Sequence, residues 1–535
     1  MGWSRQVYKK TAHGLITGCL LAVVALACAA SEPLQERIRL TLEQRAEACA
    51  PWLAASEPGV SSQLHEFYQR RAFTPLWQEP SRRAALLREL EQLRDDGLDP
   101  ADYPLDRAAP ASSSAEQHSA CAELLASRSY LQALQHLSRG RLPQDALEPF
   151  WRAPQSASPT PQPTLLELAW RGLDEPAAAF AAARPQLAQY QALRRAYAER
   201  RRQPLNEWTP VPPGRLLRPG MRDERVALLA ARLEAGGYLG ERPQADDALY
   251  DPAVLAAVEQ FQSRHGLQAD GLVGPYTLSA LNTPAADRLG QLRVNLERWR
   301  WLAGDIEAET LLVDIAGGLL SYYRDRQLRW QGRTVVGRAD RQTPQLKSLV
   351  SRLTLNPTWS VPPTILREDK VPEILRDPDY LQQHNMRVLD YAGNPLDPAG
   401  IDWENPGRII LRQDAGPDNP LGQLAIRFAN PFAVYLHDTP SQHLFAKSPR
   451  AFSSGCVRIE GILQLLQTLL PAEDCAEILR RLASKRTQNY PIKRRLPIVM
   501  AYWTAHVDPD GTLILRNDIY ARDARLLAAL QKPGH

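Results

Sequence analysis

Apolar positions recur at helical spacing through the first two hundred residues and give way, after about residue 308, to short β-branched and aromatic runs. The chain therefore reads as helices first and strands later. In "RRAALLRELEQLRDDGLDP" the residues Leu86, Leu90 and Leu93 share one helical face, and Gly97 with Pro100 supplies the stop. From about 32 to 205 the pattern predicts helices rich in Ala, Leu and Arg, a scaffold without visible chemistry. The Pro/Ser-rich segment 153–164 and the proline-rich stretch 204–220 read as loop and connector. Val226, Leu229 and Leu233 form a stripe ended by "GGYLG", and Val254, Val258 and Phe261 form a second. Asp251-Pro252 supplies the second helix with a cap and a first turn, and a third short helix ends near Asn282. After a bridging helix, "ADRLGQLRVNLERWRWL", come the strand-like runs "ETLLVDI", "GLLSYY", "RTVVGR", "SRLTLNPTWSV", "LAIRF" and "FAVYLH". A closing hairpin turns at Asp510-Gly511. A proline-containing excursion between Trp359 and Leu424 interrupts the strands, which suggests a lid or binding flap over a site, the alternative being decoration.

A chain of 535 residues is too long for one hydrophobic core, so several domains are expected. The 64 Lys+Arg against 60 Asp+Glu leave a charge of only +4, and no basic run alternates with aromatics, which argues against nucleic acid as a partner. At the N-terminus Arg5, Lys9 and Lys10 precede an apolar run over 15–27 and the small residues "ACAAS", the pattern of an export signal. Two further readings stand: a retained membrane anchor, for which thirteen residues are short of the ~20 a spanning helix needs, and lipidation at Cys28. Export to a non-cytosolic compartment permits disulfides. Outside the signal lie Cys49, Cys121, Cys456 and Cys475; the first two share the helical region and suggest a disulfide, the alternative being two separate free thiols. No C-x-x-C or H-E-x-x-H spacing points to a metal, and no cofactor is expected.

The chemistry concentrates in "HDTPSQHLFAKSPRAFSSGC". If "FAVYLH" is a strand, alternation places Val434 and Leu436 toward the core and Tyr435 with His437 outward. Cys456 follows Ser453, Ser454 and Gly455, which permit a tight turn whose amides converge, as an oxyanion hole requires. A cysteine attacks as thiolate and needs a base, which His437 could be if the intervening loop folds back. Spacing alone leaves two bland readings open. Cys456 is also what a small buried hydrophobe looks like, and His443 is as near in sequence as His437.

The string "HDTPSQHLFAKSPRAFSSGCVRIE" resembles the signature of the YkuD-type L,D-transpeptidases. The segment "FQ…HGL…DG.VG..T..ALN" resembles the small three-helix peptidoglycan-binding domain. With "LNPTWSVP" and "YWTA…DG…DIYARD", the whole looks like the large periplasmic YcbB-like branch. The resemblance implies a multidomain α+β chain: signal 1–30, helical scaffold 31–216, peptidoglycan-binding module 217–283, bridging helix 284–306 and a mainly β catalytic domain 307–525 with a flap at about 361–423. It implies Cys456 as nucleophile, His437 as base, Gly455 and Cys456 amides as oxyanion donors, and Asp438 as the group orienting the imidazole. Tyr435 and Arg458 become substrate contacts and Trp359 a pocket wall. Where the family usually has a histidine before Gly-Cys, this chain has Ser454.

The implied reaction is acyl transfer on peptidoglycan. A donor tetrapeptide stem loses D-alanine to form a thioester, and an acceptor diaminopimelate amine resolves it into a 3-3 cross-link. Glycan strands would bind through the three-helix module, and carbapenems would acylate the thiol. The absence of Ser-x-x-Lys fits the cysteine route. An L,D-carboxypeptidase, a lipoprotein-anchoring enzyme and a non-catalytic wall-binding protein stand as alternatives.

Overall fold

The computed structural model describes residues 34–43, 49, 60–106, 115–157, 163–205, 208–240 and 246–533. The segment read as an export signal lies outside them. Among the described residues no helix is long and apolar enough to cross a membrane. The chain divides into two units: Met1–Arg141, Gln162–Leu187 and Leu530–His535 form one, Leu142–Pro161 and Ala188–Ala529 the other. Of the 31–216 stretch read as scaffold, 142–161 and the residues from 188 on group with the second unit.

The first unit is helical, with Val60–Gln69, Pro80–Gln92, Ala115–Arg139, Leu165–Arg171 and Pro176–Ala183 around a core that includes Tyr68, Trp77, Leu86, Leu90, Leu93, Tyr130 and Phe180. The predicted stripe is buried as expected, and after a last 3₁₀ turn Gly97 ends the segment at φ 72°, a left-handed conformation that costs glycine least. Buried Glu123 accepts hydrogen bonds from the backbone N–H groups of Leu76 and Trp77, and so anchors a non-helical turn inside the bundle. Cys49 and Cys121 are joined by a disulfide across 72 residues, with Cα atoms 5.4 Å apart.

In the second unit the helices Arg225–Ala235, Pro252–Arg264 and Pro275–Asn282 bury both predicted stripes. The Asp251 carboxylate accepts from the Val254 N–H at 2.9 Å, so the expected cap is in place. The bridging helix, Ala285–Leu302, is buried nearly all round despite its charges. It tolerates this because its buried cations find partners: Arg298 holds Glu148 at 2.6 Å and Asp523 at 2.6 Å, and Arg300 holds Glu297 at 2.6 Å.

The strands form one large sheet in the order Trp151–Arg152, Leu346–Leu355, Leu424–Phe428, Leu436–His437, Val457–Ile459, Gln327–Gly337, Leu319–Arg324, Thr310–Asp314, Pro497–Ala501. The last strand also pairs back with Leu346–Leu355, so the sheet closes on itself around Leu311, Leu320, Leu353, Ile426, Leu436 and Val457. The excursion between Trp359 and Leu424 folds into its own four-stranded sheet with short helices and its own small core, including Leu366, Ile374, Val388 and Leu411.

Candidate active site

Three short neighbouring strands build the site. Ala425 pairs with His437, Ile426 with Leu436, Leu436 with Val457 and His437 with Arg458. Alternation then puts Arg427, Tyr435, His437, Cys456 and Arg458 on one face, while Ile426, Leu436 and Val457 enter the core. Only Leu436–His437 is strand; the rest of "FAVYLH" is a turn followed by irregular backbone, with Ala433 at φ 55°. The reason is Asn430, whose side-chain oxygen accepts from the N–H groups of Phe432 and Val434, a local competitor that sequence periodicity does not register.

His437 is buried rather than outward-facing, because the end of the excursion, including Pro420 and Leu421, walls the same cavity. Its Nδ1 lies 2.5 Å from the Asp438 carbonyl oxygen. A carbonyl only accepts, so Nδ1 carries the proton and Nε2 is left with its lone pair, as a base requires. The Asp438 carboxylate is engaged away from the imidazole, accepting from the Gln423 N–H at 3.0 Å.

Cys456 is half-buried, and its thiol is free. The turn before it is set by Ser453, whose hydroxyl donates to the Cys456 carbonyl at 2.5 Å and accepts from the Gly455 N–H at 3.1 Å. Gly455 adopts φ 112°, and its carbonyl accepts from the Thr343 hydroxyl at 2.9 Å. The Gly455 amide expected to face an oxyanion is therefore occupied by Ser453; the Cys456 N–H meets no acceptor among the described residues. Ser454 points elsewhere, accepting from Arg341 Nη1 at 3.0 Å. Arg341 also pairs with Asp369, at 2.7 Å, and with Glu368, so one guanidinium ties the excursion to the turn ahead of the thiol.

The cavity over this face measures about 800 Å³ and is walled on the far side by Trp359, Lys370 and Tyr380. Lys370 Nζ stands 5.8 Å from the Trp359 ring centroid and bonds the Tyr380 hydroxyl at 2.7 Å. Burial is the main cause of the unusual acidities. It pushes the His437 imidazole down to about 3, assisted by the Arg458 and Arg427 cations and opposed by the Asp438 carbonyl. It pushes the Cys456 thiol up, against the lowering effect of Tyr435, Arg427 and Arg458. It pushes the Tyr435 hydroxyl up to about 12. At neutral pH the resting pair is thiol and neutral imidazole, not a preformed thiolate and imidazolium.

Of the sequence-predicted residues, Cys456, His437, Tyr435, Arg458, Ser454 and Trp359 all line this one cavity. Gly455 and Asp438 act behind it through backbone groups. His443, the rival histidine, is exposed in a short 3₁₀ turn. Sequence reasoning missed Arg427, Thr343 and Arg341, and took Ser453 only as part of the turn. Only Arg427 carried a signal, as a lone cation within the apolar strand "LAIRF", two positions from Ala425 and so on the same face.

Comparison with known proteins assigns each region. Residues 62–196 match the scaffold domain, 222–281 a domain described as "Putative peptidoglycan binding domain", and 308–478 the L,D-transpeptidase catalytic domain, YkuD. A curated protein of Haemophilus influenzae named "Putative L,D-transpeptidase" is 39% identical over 221 residues, 40% of this chain; the match spans 45% of that protein, less than half its length. Solved structures similar to the chain include the Ldtfm–avibactam carbamoyl enzyme, at 12% identity, 37% of this chain, 50% of that chain and a TM-score of 0.19. An L,D-transpeptidase from Mycobacterium smegmatis aligns at 13% identity, 36% of this chain, 58% of that chain and a TM-score of 0.17, and overlaps this weak decide nothing about the fold. In order along the chain stand a scaffold domain, a peptidoglycan-binding domain and, carrying the cavity and its thiol, an L,D-transpeptidase catalytic domain of the YkuD family.

Proposed function

We propose that the protein is an exported, cysteine-dependent L,D-transpeptidase that forms 3-3 cross-links in peptidoglycan. One observation carries the reading: His437, with its Nδ1 proton committed to the Asp438 carbonyl and its neutral imidazole held as a base, lies on the sheet face that also holds the Cys456 thiol, inside a cavity large enough for a peptide.

The donor is a tetrapeptide stem whose third residue is diaminopimelate and whose fourth is D-alanine. As Sγ of Cys456 attacks the carbonyl of the third residue, its proton passes to Nε2 of His437. Because both groups are neutral at rest, transfer accompanies attack, and the free Cys456 N–H receives the developing oxyanion. Collapse breaks the C–N bond; the imidazolium returns its proton to the departing amine, D-alanine leaves and a thioester remains. The side-chain amine of an acceptor diaminopimelate then attacks the thioester, gives a proton to His437 and expels the thiolate, which recovers that proton. The thioester conserves the energy of the cleaved amide, so no nucleotide is consumed. The three-helix module would hold glycan strands nearby, and a carbapenem, with its strained lactam carbonyl, would acylate Cys456 to a stable thioester.

Purified protein incubated with disaccharide-tetrapeptide and analysed by mass spectrometry tests the proposal. Dimers lacking one D-alanine support it. Tripeptide without dimer makes the protein a carboxypeptidase, and transfer only to a lipoprotein lysine makes it an anchoring enzyme. No turnover, with the thiol shown reduced and no carbapenem adduct on the peptide containing "AFSSGCVR", leaves a wall-binding protein.

A further inference from the structure

The stretch "DIYARD", residues 518–523, contributes nothing to the lining of the cavity and lies beyond residue 478, where the match to the catalytic-domain family ends. Its Tyr520 is nonetheless buried, stacked on Tyr502 with ring centroids 5.3 Å apart. The Tyr520 hydroxyl donates to the Gly337 carbonyl at 2.6 Å and accepts from the Thr343 N–H at 3.1 Å, which closes the loop between those two residues. Burial pushes that hydroxyl up, so it keeps its proton and remains a donor at neutral pH. Tyr520 is held in turn: its N–H donates to the Tyr502 hydroxyl at 3.0 Å, and that hydroxyl donates to the Asp518 carboxylate at 2.7 Å.

Thr343 is fully buried and has a single hydroxyl hydrogen to give. The Gly337 N–H donates to its oxygen at 2.8 Å, so the hydrogen goes to the Gly455 carbonyl, 2.9 Å away. That carbonyl belongs to the same peptide unit as the free Cys456 N–H. A trans peptide is planar with its C=O and N–H pointing in opposite directions, so a bond that fixes the carbonyl also fixes where the N–H aims. Gly455, at φ 112°, would otherwise let that plane rotate. The same bond polarises the unit and makes its N–H the stronger donor.

We infer that Thr343 and Tyr520 are positioning residues for acyl transfer: the Thr343 hydroxyl aims the Cys456 N–H at the developing oxyanion, and Tyr520 holds Thr343 to that task from outside the matched catalytic domain. This rests on the reaction proposed above and assigns to it two groups that touch neither substrate nor thiol. Their effect belongs to the transition state, because the tetrahedral oxygen carries charge that the ground-state carbonyl does not and gains far more from a well-aimed donor. A misaimed N–H therefore slows acylation and leaves substrate binding alone. Displacement at a saturated carbon builds no oxyanion, so alkylation of the same thiol makes no use of the amide.

Three variants test this. Thr343→Val keeps the shape and removes the hydroxyl, Thr343→Ser restores it, and Tyr520→Phe keeps the ring stack while removing both hydrogen bonds of the phenol. Each is read by mass spectrometry on the peptide "AFSSGCVR", as the rate of acylation by meropenem and the rate of alkylation by iodoacetamide. Acylation should fall roughly 10- to 100-fold in Thr343→Val and roughly 3- to 10-fold in Tyr520→Phe, and Thr343→Ser should recover most of the rate. Alkylation should stay within about twofold throughout. With disaccharide-tetrapeptide, kcat should fall in step with acylation while KM moves less than about threefold. Valine leaves the Gly337 N–H and the Gly455 carbonyl unpaired, so if melting curves show that variant unfolded, Tyr520→Phe decides. Wild-type acylation by Tyr520→Phe or by folded Thr343→Val, equal losses in acylation and alkylation, or a raised KM at unchanged kcat overturns the inference. A wild-type protein that is alkylated at Cys456 yet takes up no meropenem and turns over no peptide refutes the reaction itself, and the inference with it.

Discussion

Replacing His437 by asparagine should make the protein's stability less sensitive to mild acid, by an amount the site's burial fixes. In the folded protein the imidazole is held down to about 3, by burial first and then by the Arg458 and Arg427 cations, whereas an unfolded histidine titrates near the usual 6.5. Below pH 6.5 the unfolded chain therefore takes up a proton that the folded site refuses, so stability is complete above that pH and falls as pH drops through the window from about 6.5 to about 3. At about 1.4 kcal/mol per pH unit, lowering the pH from about 7 to about 5 costs about 2 kcal/mol through this one residue. The figure hardly depends on how far below pH 5 the folded value lies. Asparagine can still donate an amide hydrogen toward the Asp438 carbonyl but does not titrate. Buried His265, also held down to about 3, contributes in both proteins and cancels. Denaturant midpoints of wild type and His437→Asn at both pH values give the difference directly. Parallel pH dependences, within about 0.5 kcal/mol, would show that the imidazole is hydrated and titrates normally. The same burial predicts no break near pH 6.5 in the rate of carbapenem acylation, and a protonation limb there would refute it independently.

Cys456→Ala and His437→Ala should each abolish cross-linking without loss of fold, and Cys456→Ser should fail as well because a hydroxyl is a far poorer nucleophile with one weak base beside it; substantial transfer by Cys456→Ala would sink the mechanism. Removing the Cys49–Cys121 disulfide, which closes 72 residues, should destabilise the helical unit by about 4 kcal/mol by the chain-entropy relation, and non-reducing peptide mapping that finds both thiols alkylated would refute the bond. Glu148→Ala leaves the buried Arg298 with Asp523 as its remaining carboxylate partner among the described residues and should cost about 3 kcal/mol, read as a lowered denaturant midpoint; a neutral result would mean that water reaches the guanidinium.

What was legible in the sequence was whatever repeats locally. The stripes of Val226, Leu229 and Leu233 and of Val254, Val258 and Phe261 announce helices because each residue's neighbours lie within a turn of it, and Asp251-Pro252 marks a start for the same reason. His437 and Cys456 stood out by residue type. The groups that set their behaviour did not: Ser453 bonds through a turn, Thr343 reaches the Gly455 carbonyl from 112 residues away, and Arg341 acts across 113 residues on Ser454. Neither the capping of Phe432 and Val434 by Asn430 nor the occupation of the Gly455 amide leaves any periodic trace. Trp151–Arg152 was hidden for a different reason, since a two-residue strand beside a Pro/Ser-rich loop has no pattern to read.

That short strand sets a limit on how the protein can be dissected. Trp151 and Met500 both pair with Leu346, one on each side, and neither lies within 308–478, the segment matched by the catalytic-domain family. A recombinant fragment cut to those limits would expose a bare sheet edge, with its N–H and C=O groups open to any other extended chain, and should aggregate rather than report low activity. A fragment that keeps that edge paired joins two pieces, 142–161 linked flexibly to 188–529, leaving out the stretch that belongs to the helical unit.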